Sequence, residues 1–171
     1  MLLHEARMMQ IVSQGPPHPN IIGYHGCRVQ RGRTTGLVLD KGGEELQKHI
    51  QDGKPLDKEA FMTALESAVR HLHDDLGLAH NDINYHNILV SQDGMPVLID
   101  FCSCCKHGVE MPLSEGTEGW FHHADPVHFG GMKRDLYALE RVRHFVYTGK
   151  KPEQPEETIG SDSPDASMSI V

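Results

Sequence analysis

Three oxygen-bearing side chains, Asp82, Asn87 and Asp100, punctuate the stretch HNDINYHNILVSQDGMPVLIDFC that runs from His80 to Cys102. Two carboxylates and a carboxamide are hard donors, the kind magnesium takes together with phosphate oxygens and water. With Asn87 and Asp100 committed to a metal ion, Asp82 would be left to face an attacking hydroxyl. Taken singly, an Asp or Asn beside a turn is more often a cap or an Asx-turn, so the chemistry rests on the three together.

Their spacing demands a particular element between them. Ile88, Leu89 and Val90 form one β-rich run and Val97, Leu98 and Ile99 a second, with Asp93-Gly94 as the tight turn. A hairpin sets its ends side by side, so Asp82 and Asn87, before the first strand, should meet Asp100, after the second. Upstream, Asp57 is an N-cap for a core helix with Phe61, Leu65, Ala68, Val69 and Leu72 at helical intervals. Leu2, Glu5, Met9 and Val12 mark an earlier helix, ended by Gly15-Pro16-Pro17, and Gly36 to Leu39 reads as a buried strand. Glu44 to Gln51 should form a short helix. Downstream, Leu136, Leu139, Val142 and Val146 lie on one face of a helix closed by Gly149.

Composition narrows the function classes. The 171 residues carry a net charge of -8 and no Lys/Arg-rich run, which speaks against nucleic acid. The opening MLLHEARMMQIV places His4, Glu5 and Arg7 within its apolar residues and reads as neither signal peptide nor membrane span. An intracellular protein, cytoplasmic or nuclear, is the expectation. Four cysteines, Cys27, Cys102, Cys104 and Cys105, are too few and too bunched for a disulfide framework and read as reduced thiols. The run CSCCKH also lacks the two separated C-x-x-C knuckles of a structural zinc site. Beyond Pro152, EQPEETIGSDSPDASMSIV is acidic, holds almost nothing to bury, and should be a disordered tail.

The His80-Asn81-Asp82, Asn87 and Asp100-Phe101-Cys102 phrases resemble the protein-kinase catalytic loop H-R-D-x-x-x-x-N followed by the metal-binding D-F-G. His18-Pro19-Asn20-Ile21 resembles the link after the regulatory helix of the small lobe, and Gly116-Thr117-Glu118-Gly119-Trp120 the end of an activation segment. The combined HND, IDFxSC, GTxGW and DxYALExVR phrases look like a divergent, fungal-type group of eukaryotic protein kinases. The resemblance implies an α+β protein-kinase-like fold, mostly the helical large lobe with a partial small lobe: residues 1–39 a small-lobe remnant, 40–150 the large lobe through its central helix, 151–171 the tail.

It further implies ATP and Mg2+ as cofactors, with Asp82 as catalytic base, Asn87 and Asp100 on metal, and Thr117 steadying Asp82. Leu39 would back the adenine pocket, Asp40 and Gly42 would present hinge backbone to the base, and Leu89 would lie under its ring. Glu5 would be the small-lobe glutamate that pairs with a lysine. Met9, His80 and Phe101 resemble an apolar column coupling the lobes, and Asp135 resembles the residue bracing the catalytic loop.

Several positions depart from the pattern. No glycine-rich loop or V-A-I-K lysine lies ahead of Glu5, so the resemblance is to a fragment lacking the front of the small lobe. Asn81 replaces arginine, Asn84 stands where serine/threonine kinases have lysine, Cys102 replaces glycine, and His122-His123-Ala124 stand where A-P-E is expected. Three functions stay open on sequence. One is phosphoryl transfer from Mg-ATP to protein serine or threonine, with activity retained or lost; a second is a pseudokinase that binds a protein partner without chemistry. The third is a small-molecule kinase of the aminoglycoside or choline type, which shares H-x-D-x-x-x-x-N and I-D-F.

Overall fold

A computed structural model describes residues 1–109, 117–120 and 131–152. The expected A-P-E position at 122–124, Gly116 and nearly all of the tail lie outside the described residues. The order is α1 (Leu2–Gln14), β1 (Tyr24–Gln30), β2 (Arg33–Leu39), β3 (Glu44–Glu45), α2 (Leu46–Gln51), α3 (Lys58–Arg70), β4 (Leu78–Ala79), β5 (Ile88–Val90), β6 (Pro96–Leu98), β7 (Cys105–Lys106) and α4 (Met132–Thr148).

Helix α3 is the pillar. Asp57 accepts from the Ala60 amide at 3.1 Å, satisfying one of the amides a helix start leaves orphaned. Phe61, Leu65, Ala68, Val69 and Leu72 are all buried, as their 3.6-residue spacing requires. The helix continues past Arg70. It widens into a π-helical turn over His71–Asp75, then breaks at Gly77 with φ +63°. The added residue leaves His73 buried.

The expected hairpin forms, with Ile88 opposite Leu98 and Leu89 opposite Val97. Gly94 takes φ +75°, and its amide bonds Ser91 O at 3.0 Å. The second strand ends at Leu98 rather than Ile99, although Ile99 N still donates to Asn87 O at 3.0 Å. The HPNI segment runs beside β6: Leu98 N donates to Asn20 O, Ile22 N to Leu98 O, and the Asn20 amide side chain to Pro96 O.

Three expectations need correction. The helix from Glu44 begins only at Leu46, because Glu44 and Glu45 pair as β3 with Val90 and Leu89. Gly43 permits that approach; a Cβ there would stand 1.6 Å from Val90 O. The Gly36–Leu39 run is a strand but not a buried one, since among the described residues β2 pairs with β1 alone and leaves Val38 45% and Leu39 38% exposed. On α4, Leu136 is 55% exposed, and the inward face instead carries Asp135, Ala138, Leu139, Val142, Phe145 and Val146. Gly149 ends that helix at φ +71°, its amide on Phe145 O.

Phe61→Ala should cost about 3–5 kcal/mol, as for other buried aromatics cut to alanine, and Asp57→Ala about 1 kcal/mol, as for a lost N-cap. Urea unfolding midpoints of the two variants check the ranking.

Candidate active site

The loop before β5 is held from below by one carboxylate. Asp135, fully buried at the start of α4, accepts from His80 N at 2.8 Å and Asn81 N at 2.7 Å, while His73 Nε2 lies 2.8 Å from its Oδ2. These bonds fix Asn81 at φ +65°, a left-handed conformation that asparagine tolerates better than most side chains. The Asn81 side chain then binds locally. Its Nδ2 faces Ala79 O, Ser103 O and Cys105 Sγ, and its Oδ1 accepts from Gly131 N.

His80 is buried, with Nε2 on Ile99 O at 3.0 Å and its ring edge-on to Phe101 at 5.0 Å. Met9 and Phe101 are buried in the same core cluster. The three residues expected as an inner column are therefore packing residues.

Asp82 sits at the centre of the polar face. Its Oδ1 accepts from Thr117 N at 2.8 Å, Thr117 Oγ1 at 2.7 Å and Asn84 Nδ2 at 3.1 Å; its Oδ2 accepts from Asn87 Nδ2 at 3.0 Å. The structure thus joins Asp82, Asn87 and Thr117 in one hydrogen-bonded group. Trp120, three residues on, is buried edge-on to Tyr85 at 4.8 Å, anchoring the Thr117 turn to the loop.

Asp100 follows immediately after the Ile99–Asn87 rung, at φ +62°, with its Oδ1 accepting from Cys102 N at 3.1 Å. Ligand atoms of Asp100, Glu5 and Cys102 lie within 4.8 Å of one another. Among the described residues no lysine or arginine forms an ion pair with Glu5. Burial pushes the Glu5 carboxyl up and the Asp100 charge adds to this, against an opposing hydrogen bond from Cys102. Burial and the two carboxylates push the Cys102 thiol far up, so it stays protonated. Cys104 and Cys105 point into buried surroundings that also raise their thiols.

Around the expected adenine position, Leu89 lies directly against Gly42, where a Cβ would fall 2.1 Å from Leu89 Cδ1. Asp40 and Gly42 line a cavity of about 420 Å3 with Ile21, Ile22 and Val97. Leu39 stands half-exposed at the end of β2, and Asp40 binds back to Gly23 O through its amide and to His25 Nε2 at 2.6 Å through its carboxylate.

A protein kinase domain model matches residues 1–125. The chain belongs to the protein kinase family. It is 29% identical over 162 residues to mouse sperm motility kinase 1, covering 89% of this chain and 32% of that protein. It is 26% identical over 162 residues to the human lymphokine-activated killer T-cell-originated protein kinase, covering 81% and 47%. With the serine/threonine-protein kinase PrkC of Bacillus subtilis it shares 30% over 156 residues, 83% of this chain and 23% of that one. The chain thus spans about a third of the length of the first of these relatives. Among solved structures, the Cydia pomonella granulovirus kinase PK-1 superposes with a TM-score of 0.71 at 19% identity, over 90% of this chain and 57% of that one. The protein-kinase-like fold expected from the sequence is the one observed.

Two features of this kinase site were not anticipated from the sequence. His73 as a partner of Asp135 depends on the π-helical turn, which has no clear sequence signal. The approach of Glu5 to Asp100 and Cys102 joins positions on α1 and after β6 that only tertiary packing brings together.

Asp135→Asn should cost about 2 kcal/mol, because an amide at this site cannot accept every bond the carboxylate takes and leaves a buried donor unpaired; urea denaturation measures it. Glu5 gives a pH test. A carboxyl whose folded pKa is raised favours the folded state while protonated, so stability falls as pH climbs from the ordinary glutamate value through the raised one. Glu5→Gln should remove that loss, and its unfolding free energy should exceed the parent's by more at pH 7 than at pH 4.

Proposed function

We propose that this kinase chain binds Mg-ATP and transfers its terminal phosphoryl group to serine or threonine hydroxyls of a protein. The observation that carries the reading is the Asp82 carboxylate, fixed by Thr117 and Asn87 at the mouth of the hairpin. Asn87 commits its Nδ2 to Asp82 O and Oδ2, which leaves its Oδ1 as the free donor atom, a hard oxygen suited to magnesium. Asn87 and Asp100 would hold Mg2+, which when bound neutralises charge on phosphate oxygens.

The chain's own residues do the rest. Asp82 faces the acceptor hydroxyl and takes its proton as the oxygen attacks; Thr117 keeps the carboxylate aimed. The Asp40 and Gly42 backbone would meet the base, and Leu89 would lie beneath it, with Leu39 behind. Serine/threonine acceptors are supported by the Thr117 turn and by the likeness to the Bacillus serine/threonine-protein kinase.

Mg-ATP should raise the melting temperature of the purified chain, and Asp100→Ala should abolish the shift. Radiolabelled phosphate should reach serine or threonine in a peptide library, with Asp82→Asn lowering the rate at least about 100-fold, as for loss of a general base. Absence of any nucleotide-dependent shift in the parent would overturn nucleotide binding. Phosphorylation of choline or an aminoglycoside with none of peptides would overturn the acceptor class.

A further inference from the structure

Asn84 is buried at 1% exposure inside the catalytic loop, and its carboxamide has only one orientation that satisfies its neighbours. The His86 amide donates to Asn84 Oδ1 at 2.8 Å, so the oxygen is fixed on that side and Nδ2 must face the other. From there Nδ2 reaches Thr117 Oγ1 at 3.1 Å, Asp82 Oδ1 at 3.1 Å and Asp82 O at 3.2 Å. Thr117 Oγ1, having accepted from Asn84, has its own proton free to donate to Asp82 Oδ1 at 2.7 Å. The result is a one-way circuit, from Asn84 N–H to Thr117 O–H to Asp82 Oδ1, in which each bond polarises the next.

The circuit divides the labour between the two oxygens of Asp82. Oδ1 receives three donors: Asn84 Nδ2, Thr117 Oγ1 and the Thr117 amide. Oδ2 receives one, Asn87 Nδ2 at 3.0 Å, and keeps lone-pair capacity for a further donor. We propose that Asn84 is the positioning residue of this site: it locks Oδ1 as the structural oxygen and leaves Oδ2 as the atom that takes the proton of the acceptor hydroxyl. The assignment rests on the phosphoryl-transfer reading for its chemistry, while the circuit stands on geometry alone. A neutral carboxamide does this without placing a cation beside the transferred phosphate, so Asn84 acts on the base and not on nucleotide affinity.

The test uses Asn84→Asp, which keeps the shape but exchanges the Nδ2 donor for an acceptor, together with Thr117→Ala and the double variant. Each single variant should lower kcat about 100-fold with KM for Mg-ATP changed less than about threefold, in the range seen when one preorganised donor is removed. The double variant should lie within about threefold of the singles, because both break one circuit. Amide hydrogen exchange gives a second readout that needs no catalysis: the Thr117 amide should lose at least tenfold protection in Asn84→Asp and keep it in Thr117→Ser. Unchanged Thr117 protection in Asn84→Asp overturns the circuit whether or not the chain is active. A KM effect without a kcat effect, or fully multiplicative losses in the double variant, overturns the positioning role. Should the parent transfer no phosphate, the phosphoryl-transfer reading and the Oδ2 assignment fall together, and exchange alone decides the circuit.

Discussion

A single buried carboxylate, Asp135, holds the rest of the site in place. Its bonds to the His80 and Asn81 amides and to His73 join α4, the π-helical turn after α3 and the catalytic loop at one point. A carboxylate with several donors recovers the hydration lost on burial, and without them it would be expensive to bury. The left-handed Asn81, the inward His80 and the outward Asp82 all follow from that anchoring. Asp82 is thereby delivered to Thr117 and Asn87 on a backbone that packing has already fixed.

The parts of the molecule that were legible in the sequence are those set by local chemistry. The Asp93-Gly94 turn fixed the hairpin register, and the Asp57 cap with its 3.6-residue apolar row fixed α3. The family resemblance set Thr117 beside Asp82, and the two are hydrogen-bonded, with Asn87 on the other carboxylate oxygen. What was not legible depended on partners distant in sequence. Glu44 and Glu45 have ordinary helix propensity, yet pairing with Val90 and Leu89 pulls them into a strand. Val38 and Leu39 read as buried because they are apolar, whereas burial depends on a covering layer that β1 and β2 alone do not supply. Leu136 misled for the same reason: its apolar spacing suited one helix face, and the face chosen by packing was the one carrying Asp135.

Two positions of the site carry neutral side chains where cations were expected. Asn81 and Asn84 occupy positions where the family resemblance leads one to expect arginine and lysine, and both serve through neutral carboxamide bonds that are buried. Buried neutral bonds are screened far less by salt than surface ion pairs are. Glu5, Asp100 and Cys102 bring their ligand atoms within 4.8 Å of one another, and the thiol there is held protonated. The loop before β5 is thus held by hydrogen-bond geometry.

The π-helical turn at His71–Asp75 has a consequence for what changes the chain tolerates. An α-helix rotates about 100° per residue, and a wide turn accommodates one residue more than its regular neighbours. Removing a single residue there would let the segment rewind as ordinary helix and swing His73 away from Asp135, although no interacting side chain had been deleted. Substitutions along this stretch alter one contact apiece, but a change in its length resets the phase of everything that follows. For this segment the number of residues is as much a part of the encoded information as their identity.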